Sequence, residues 1–328
     1  MAVLLRRCAN VAGCNSPGQL VAASPVDPLT LMRAVPKIHL DPNDFWEVDV
    51  PSQHGFFGPR SARGSAALLP EPPWYYSGDL LTIEYRVNPD RILELLPDPL
   101  EPAPDDPGAV AFIWADWQSC AADKAQLLDP VLGQYKEAFV VVRCSYRGET
   151  YSRCVYIWVD SDFAIARGLH QGYPKKLGSI HVTRPHPYGP APRVAPGGQF
   201  GASLAAADRR LAEARITLLE ESPANGFVNA HPMAHNRFVR AIDDPSQFRL
   251  DEIIATASAS AKGGPAFRAR VDGFQLFEAP TEELARLAPE EIISGYYRQV
   301  GVVWDGGRLL HDNLAAPEQV PTEVTEHV

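Results

Sequence analysis

Proline sets the first limit on what this chain can become. It occupies 31 of the 328 positions, about twice the usual share. A proline ring fixes φ and removes a backbone donor, so it breaks helices and is excluded from central strands. This density disfavours long helices and suggests many short strands with rigid connections. Leu81–Val87, Ala109–Trp117, Ala138–Tyr146, Tyr151–Val159, Ile180–Arg184, Glu213–Leu219, Glu252–Ala257, Ala266–Phe277 and Ile292–Trp304 read as strands. Arg147-Gly148-Glu149 supplies a turn between two of them. Asn88-Pro89-Asp90 opens a short helix through Leu96, Asp160-Ser161-Asp162 caps another through Ala166, and Glu282–Leu287 forms a third after Thr281.

Strands do not alternate with long helices. The predicted fold is therefore α+β, mainly antiparallel, with a closed or nearly closed barrel-like sheet and a few short helices. Residues 1–70 read as a Pro-rich extension, 71–305 as the folded domain and 306–328 as a tail.

Composition narrows the partners. With 45% hydrophobic and 21% charged residues, collagen, coiled-coil and wholly disordered chains are excluded. The net charge of −10 argues against nucleic acid and anionic membranes. No apolar run approaches the roughly 18 residues that span a bilayer. The start, Met1 to Arg7, places charge behind a short apolar stretch, the reverse of a secretory signal, so a cytoplasmic location is expected.

Cys8, Cys14, Cys120, Cys144 and Cys154 contain no C-x-x-C pair, so reduced, buried thiols are expected. Dinucleotide, P-loop and G-x-S-x-G signatures are absent, and Gly197-Gly198-Gln199-Phe200-Gly201 reads as a turn. His231 and His235 have the spacing of a helical metal pair, but Pro232 lies between them. A turn with a solvated or hydrogen-bonded histidine is expected there, and no metal. Asp105-Asp106 and Asp243-Asp244 read as solvated loop residues.

One segment stands apart: Gln171-Gly172-Tyr173-Pro174-Lys175-Lys176-Leu177-Gly178. Adjacent lysines usually mark a solvated edge. Here they sit between a rigid Tyr-Pro step and an apolar Leu-Gly. Proline restricts itself and the residue before it, so Lys175 is delivered with little backbone freedom. Facing an apolar pocket, the amine loses solvation and its charged form is disfavoured. An ordinary lysine is free amine in only about one molecule in 2,500 at pH 7, and burial can lower its pKa by up to ~3–5. A free amine attacks carbonyl carbon, and the resulting iminium is an electron sink.

The stretch from Arg167 to Gly178 resembles the active-site segment of the acetoacetate decarboxylase family, most specifically in Tyr173-Pro174-Lys175-Lys176-Leu177-Gly178. That family is the standard example of a lysine activated by desolvation or a cationic neighbour, so the effect comes with the resemblance. Weaker similarity runs from about Pro72 to Trp304, through Tyr85-Arg86, Pro97-Asp98-Pro99-Leu100 and Tyr135-Lys136-Glu137. The resemblance makes 71–305 the catalytic domain. It implies that Lys175 forms the imine, that Lys176 is its electrostatic neighbour and that Glu137 handles protons.

It further implies a small-molecule keto acid or related carbonyl substrate, no cofactor, and a homo-oligomer. If Lys175 and Lys176 are extended, however, their side chains point to opposite faces, and desolvation then outweighs like-charge repulsion.

Two departures bear on substrate. Gly168-Leu169 stand where the archetypal decarboxylase has an Arg-Glu pair, and Gly78 stands where it carries an arginine for the substrate carboxylate. Gln171, Tyr135 and Trp114, with Tyr173 of the motif, either line a wider and more neutral pocket or serve as ordinary packing. The expected function is a Schiff-base lyase of decarboxylase type acting on a keto acid. The alternatives are a Schiff-base aldolase-dehydratase of the same superfamily and a non-catalytic small-molecule-binding barrel.

Overall fold

The computed structural model describes residues 54–256 and 259–315, with backbone only for 259–261. Its strands are β1 Trp74–Arg86, β2 Glu101–Pro102, β3 Ala109–Cys120, β4 Gln134–Tyr146 and β5 Glu149–Val159. After these come β6 Lys175–Leu177, β7 Ser179–Val182, β8 Gln199–Ala206, β9 Arg209–Ser222 and β10 Met233–Arg240. The last five are β11 Phe248–Thr256, β12 Ala259–Gly263, β13 Ala266–Leu276, β14 Glu291–Trp304 and β15 Arg308–Asp312. Two α-helices, α1 Pro89–Leu93 and α2 Asp162–Gln171, interrupt them. Among the described residues no helix is long and apolar enough to cross a membrane.

All strands belong to one sheet, ordered β15-β11-β10-β5-β4-β3-β1-β14-β13-β9-β8-β7, with β12, β2 and β6 added on β14, β4 and β5. Pairing is antiparallel except where β5 meets β6 and β10. The expected closure is not found: the order ends at β15 and β7. The physical reason lies in β5. Its outer edge pairs with β6 at Ile157–Val159 and with β10 at Ser152, whereas β7, one residue beyond β6, pairs with β8 instead.

The α1 signals hold. The Asn88 side chain accepts the Asp90 N–H at 2.9 Å, and Pro89 starts the helix. Other elements differ from expectation. Helix α2 continues five residues past Ala166 and ends only at Gly172, whose φ of 82° lets its N–H reach the Gly168 carbonyl. The segment expected as a third helix is a 3-10 turn over Leu284–Leu287. Only Gly197, at φ 85°, is a turn in the glycine cluster, since β8 begins at Gln199.

The segment read as a tail contains β15, hydrogen-bonded to β11. In the segment read as an extension, Leu69 is buried and Phe56 and Phe57 pack on the core. Residues 1–53 and 316–328, with Cys8 and Cys14, lie outside the described residues. Cys120, Cys144 and Cys154 are free and buried.

Strand alternation builds two apolar layers. Leu81, Ile83 and Tyr85 of β1, Val110, Phe112 and Trp114 of β3, and Ala138, Val140 and Val142 of β4 share one core with residues of β7, β8, β9 and β13. The sheet thus curls so that its far strands cover one face of its middle. Trp74, Tyr76 and Leu80 of β1, Ala115 and Trp117 of β3, and Tyr135, Phe139 and Val141 of β4 line the opposite face under α2.

This alternation corrects one expectation. Trp114 is not a pocket residue, because it lies fully buried in the inner core, stacked on Phe112 at 4.1 Å between ring centroids. Trp114→Ala is expected to lower stability by about 3–5 kcal/mol. In urea unfolding the midpoint falls while the denaturant slope stays unchanged.

Candidate active site

Position 175 is built by three consecutive local constraints. Helix α2 buries the face carrying Phe163, Ala164, Arg167, Gly168 and Gln171 against the outer layer of the sheet. Gly172 then takes the left-handed conformation that glycine adopts without penalty and reverses the chain. The Lys175 N–H bonds the Tyr173 carbonyl at 2.8 Å, spanning Pro174, whose fixed φ suits such a three-residue turn. β6 then pairs in parallel with β5, Lys175 opposite Ile157.

The lysine stem turns back across α2 at a position with no side chain. A Cβ on Gly168 would stand 2.6 Å from both Cγ and Cδ of Lys175. The same glycine explains the helix boundary, since in sequence it reads as a helix stop, whereas in the fold it is a channel.

Through that channel Lys175 Nζ reaches Glu137 Oε2 at 3.2 Å, with the two side chains only 5% and 10% exposed. Nζ lies 5.4 Å from the Tyr135 ring centroid and 5.6 Å from that of Tyr173. The other carboxylate oxygen, Oε1, accepts the Trp117 indole N–H at 2.7 Å. Burial raises the pKa of Tyr135 and Tyr173 well above the ordinary phenol value, and the nearby Glu137 charge adds to both. The Cys154 thiol, next to the same pair, is also pushed up by burial.

Beside this pair lies a cation without a counter-charge. Arg167 is 1% exposed. Its Nη1 donates to Ser119 Oγ at 2.7 Å, while Nε and Nη2 are buried with no hydrogen-bond partner. Trp74, Tyr76 and Phe163 present their rings to its guanidinium at 5.1, 5.6 and 5.2 Å. Among the described residues no carboxylate lies within ion-pair distance of it. Tyr76 joins the two centres: burial pushes its hydroxyl up to about 12, Arg167 opposes, Glu137 adds, and Gln171 and Arg167 are its polar neighbours.

Of the residues singled out in the sequence, Lys175, Glu137, Gln171, Tyr135 and Tyr173 are therefore brought together. Lys176 is not among them. Its side chain leaves the strand on the opposite face, where Nζ lies 5.0 Å from the Trp158 ring centroid and pairs with Glu282. Glu282 also accepts the Trp158 indole N–H at 3.3 Å. Strand alternation alone required this.

Arg167 and Trp117 are the participants that the sequence reading did not single out. Arg167 opens the segment that resembles the family, just past the expected helix end at Ala166. Its placement follows from α2 running on, which puts 167 and 171 one turn apart on the buried face. Trp117 was passed over for Trp114, although Glu137 and Trp117 share a face once β3 and β4 are in register through Ala115 and Glu137. Gly78 lacks the expected arginine because the Trp117 ring fills its space. A Cβ there would stand 2.5 Å from the indole.

His235 is neither in a turn nor hydrogen-bonded. It lies on β10, fully buried, its ring 4.0 Å from that of Tyr173 and both nitrogens unpartnered. Burial, then Arg153 and Lys175, keep it well below the ordinary histidine pKa. Among the described residues no group of three or more His, Cys, Asp or Glu side chains is placed to hold a metal ion.

Residues 58–314 match the family model for acetoacetate decarboxylase. No curated protein sequence matches the chain. Among solved structures, the enduracididine biosynthesis enzyme MppR complexed with pyruvate is 34% identical, with a TM-score of 0.73 over 79% of this chain and 98% of that one. The same enzyme complexed with the condensation product of pyruvate and imidazole 4-carboxaldehyde is 34% identical, with a TM-score of 0.73 over 78% of this chain and 95% of that one. An acetoacetate decarboxylase-like enzyme from Sphingomonas wittichii RW1 is 26% identical, with a TM-score of 0.72 over 78% of this chain and all (100%) of that one.

The Gly168 channel is testable by itself. Gly168→Ala adds a better helix former and a methyl group that displaces the lysine stem. The variant is expected to fold, with Lys175 losing about 100-fold in its rate of reaction with a carbonyl reagent. Trapping with borohydride and peptide mass spectrometry measures this, and an unchanged rate would show that the stem passes elsewhere.

Proposed function

The chain belongs to the acetoacetate decarboxylase family, and on that basis we propose that its Lys175 captures a small 2-keto acid as an imine and joins it to an aldehyde. The observation that carries this reading is the buried amine 3.2 Å from a carboxylate, in a layer that also buries an uncompensated guanidinium linked to that carboxylate through Tyr76. A guanidinium buried without a counter-ion is costly, and a bound carboxylate would supply the missing partner. Arg167 thus takes the part of the cation absent at Gly78, from a different element.

Attack requires the free amine, and Glu137 Oε2 is placed to take the ammonium's proton. Nζ then bonds to C2 of the keto acid, and loss of the carbonyl oxygen as water leaves an iminium. Removal of a C3 proton, again to Glu137, pushes the C–H electron pair into the C=N bond and gives an enamine. The enamine carbon forms a bond to the aldehyde carbon, whose oxygen takes up a proton. Loss of that hydroxyl with the remaining acidic C3 proton releases a second water. Hydrolysis of the imine consumes one water and restores the amine, so keto acid and aldehyde yield an unsaturated 2-keto acid and one water.

Decarboxylation of a β-keto acid is the second reading, favoured by the family itself. It shares the iminium and differs only in releasing carbon dioxide instead of a C3 proton. Condensation is preferred because solved structures 34% identical to this chain hold pyruvate and the condensation product of pyruvate with an aldehyde.

Borohydride added with pyruvate should fix a reduced adduct on the peptide containing Lys175. Lys175→Arg should abolish it, because guanidinium stays protonated and forms no imine. An adduct persisting in that variant would place the nucleophile elsewhere. Product analysis with pyruvate and an aromatic aldehyde, against carbon dioxide release from β-keto acids, separates the two readings. Arg167→Gln is expected to raise KM for pyruvate about 10–100-fold, the value of a lost charged hydrogen bond. A neutral ketone should be little affected, and equal losses for both would remove Arg167 from carboxylate binding.

A further inference from the structure

We infer that Trp117 is the positioning residue for Glu137, and that Gly78 is the residue that makes room for it; the inference rests on the imine chemistry proposed above. Gly78 and Trp117 stand directly opposite each other on β1 and β3. A Cβ at position 78 would lie 2.5 Å from the indole Cε3 and 2.5 Å from the Asp116 carbonyl oxygen. Neither can yield without disturbing the strand pair or the ring. With glycine the indole extends over β1, 6.0 Å from the Tyr76 ring, and its N–H reaches Glu137 Oε1 at 2.7 Å.

The two oxygens of Glu137 are thereby made unequal. Oε2 faces the lysine, which gives and receives protons. Oε1 faces an indole, which donates only and does not titrate. A proton on Oε1 would meet the indole hydrogen, so proton traffic is confined to Oε2. Capture of the keto acid sharpens this requirement. The ammonium offers three hydrogens and the iminium only one, so the lysine's hold on the carboxylate loosens when the substrate bonds. The Trp117 contact does not change during that step, and it keeps Oε2 aimed while the C3 proton is removed.

Trp117 is also a wall. It lines, with Gly78, Asp79, Gln118, Gln134 and Gln299, a groove of about 710 Å³. The same ring that orients the carboxylate on one side meets this groove on the other.

Trp117→Phe keeps an aromatic ring and removes the donor. Replacement of Trp117 by 3-benzothienylalanine removes the N–H with almost no change of shape and covers the case in which the smaller ring unsettles the fold. Both are expected to retain the borohydride-trapped pyruvate adduct, to lower kcat for condensation about 10–100-fold and to leave KM for pyruvate within about threefold. Exchange of the pyruvate C3 protons with solvent, read by NMR, should fall by the same factor, because that step depends on the aim of Oε2.

Gly78→Ala should lower kcat and C3-proton exchange in the same way by displacing the indole. A purely structural role would shift thermal stability and leave the C3-proton exchange rate in place. Wild-type kcat and C3-proton exchange in the benzothienylalanine protein overturn the inference. Absence of any pyruvate adduct in the wild-type protein overturns both it and the imine reading.

Discussion

Lys175 meets Glu137 because position 168 carries no side chain. Two charges in an apolar layer gain from each other only what geometry and additional hydrogen bonds allow, and the desolvation they must offset is large. The chain meets that demand with small and rigid residues. Gly168 clears the path of the lysine stem, Gly172 reverses the helix end, Pro174 fixes the angle of approach, and Gly78 admits the indole that satisfies the second carboxylate oxygen. Removing either charge would leave the other buried and uncompensated, a loss of about 3–5 kcal/mol. The pair is therefore a commitment of the whole outer layer.

The sheet divides its two faces between separate tasks. Its inner face carries the large apolar core, enclosed by the curl of β7, β8, β9 and β13 over the middle strands. Its outer face, covered by α2 and by Phe56 and Phe57, carries the polar cluster. Adjacent residues illustrate the division. Lys175 belongs to the outer layer, whereas Lys176 crosses to Trp158 and Glu282 and fastens β6 from the other side. Lys176 is therefore not a like-charge neighbour of the amine. Around the amine stand the Tyr135 and Tyr173 rings and the Glu137 carboxylate, with α2 against its stem.

The buried cation of this layer lies on a helix, whereas the resemblance would place one on β1. An arginine on β1 would need the space over Gly78, and Trp117 holds it. Arg167 approaches from above and is fixed by Ser119 and by three aromatic rings, which leave two of its nitrogens unpartnered and available. Glu137 thereby has an indole donor, and the identity of residue 78 is tied to that of residue 117.

Much of this was legible without coordinates. Proline density and strand periodicity determined a mainly antiparallel sheet with short helices. The Tyr-Pro-Lys-Lys-Leu-Gly run singled out Lys175, and alternation in an extended chain already sent Lys176 away from it. What the sequence could not contain was which pairs of distant residues share a face. Gly168 looked like a helix stop because its propensity is local, while its purpose is to clear Lys175 seven positions later. Trp114 and Trp117 are equally apolar in a string, and only the register of β3 on β1 and β4 puts one in the core and the other against Glu137. Closure of the sheet was equally undecidable, since it depends on which strands pair with the edge of β5, and β6 and β10 do. Residue type and local spacing name the reactive group; register, which is a property of strands brought together, decides what surrounds it.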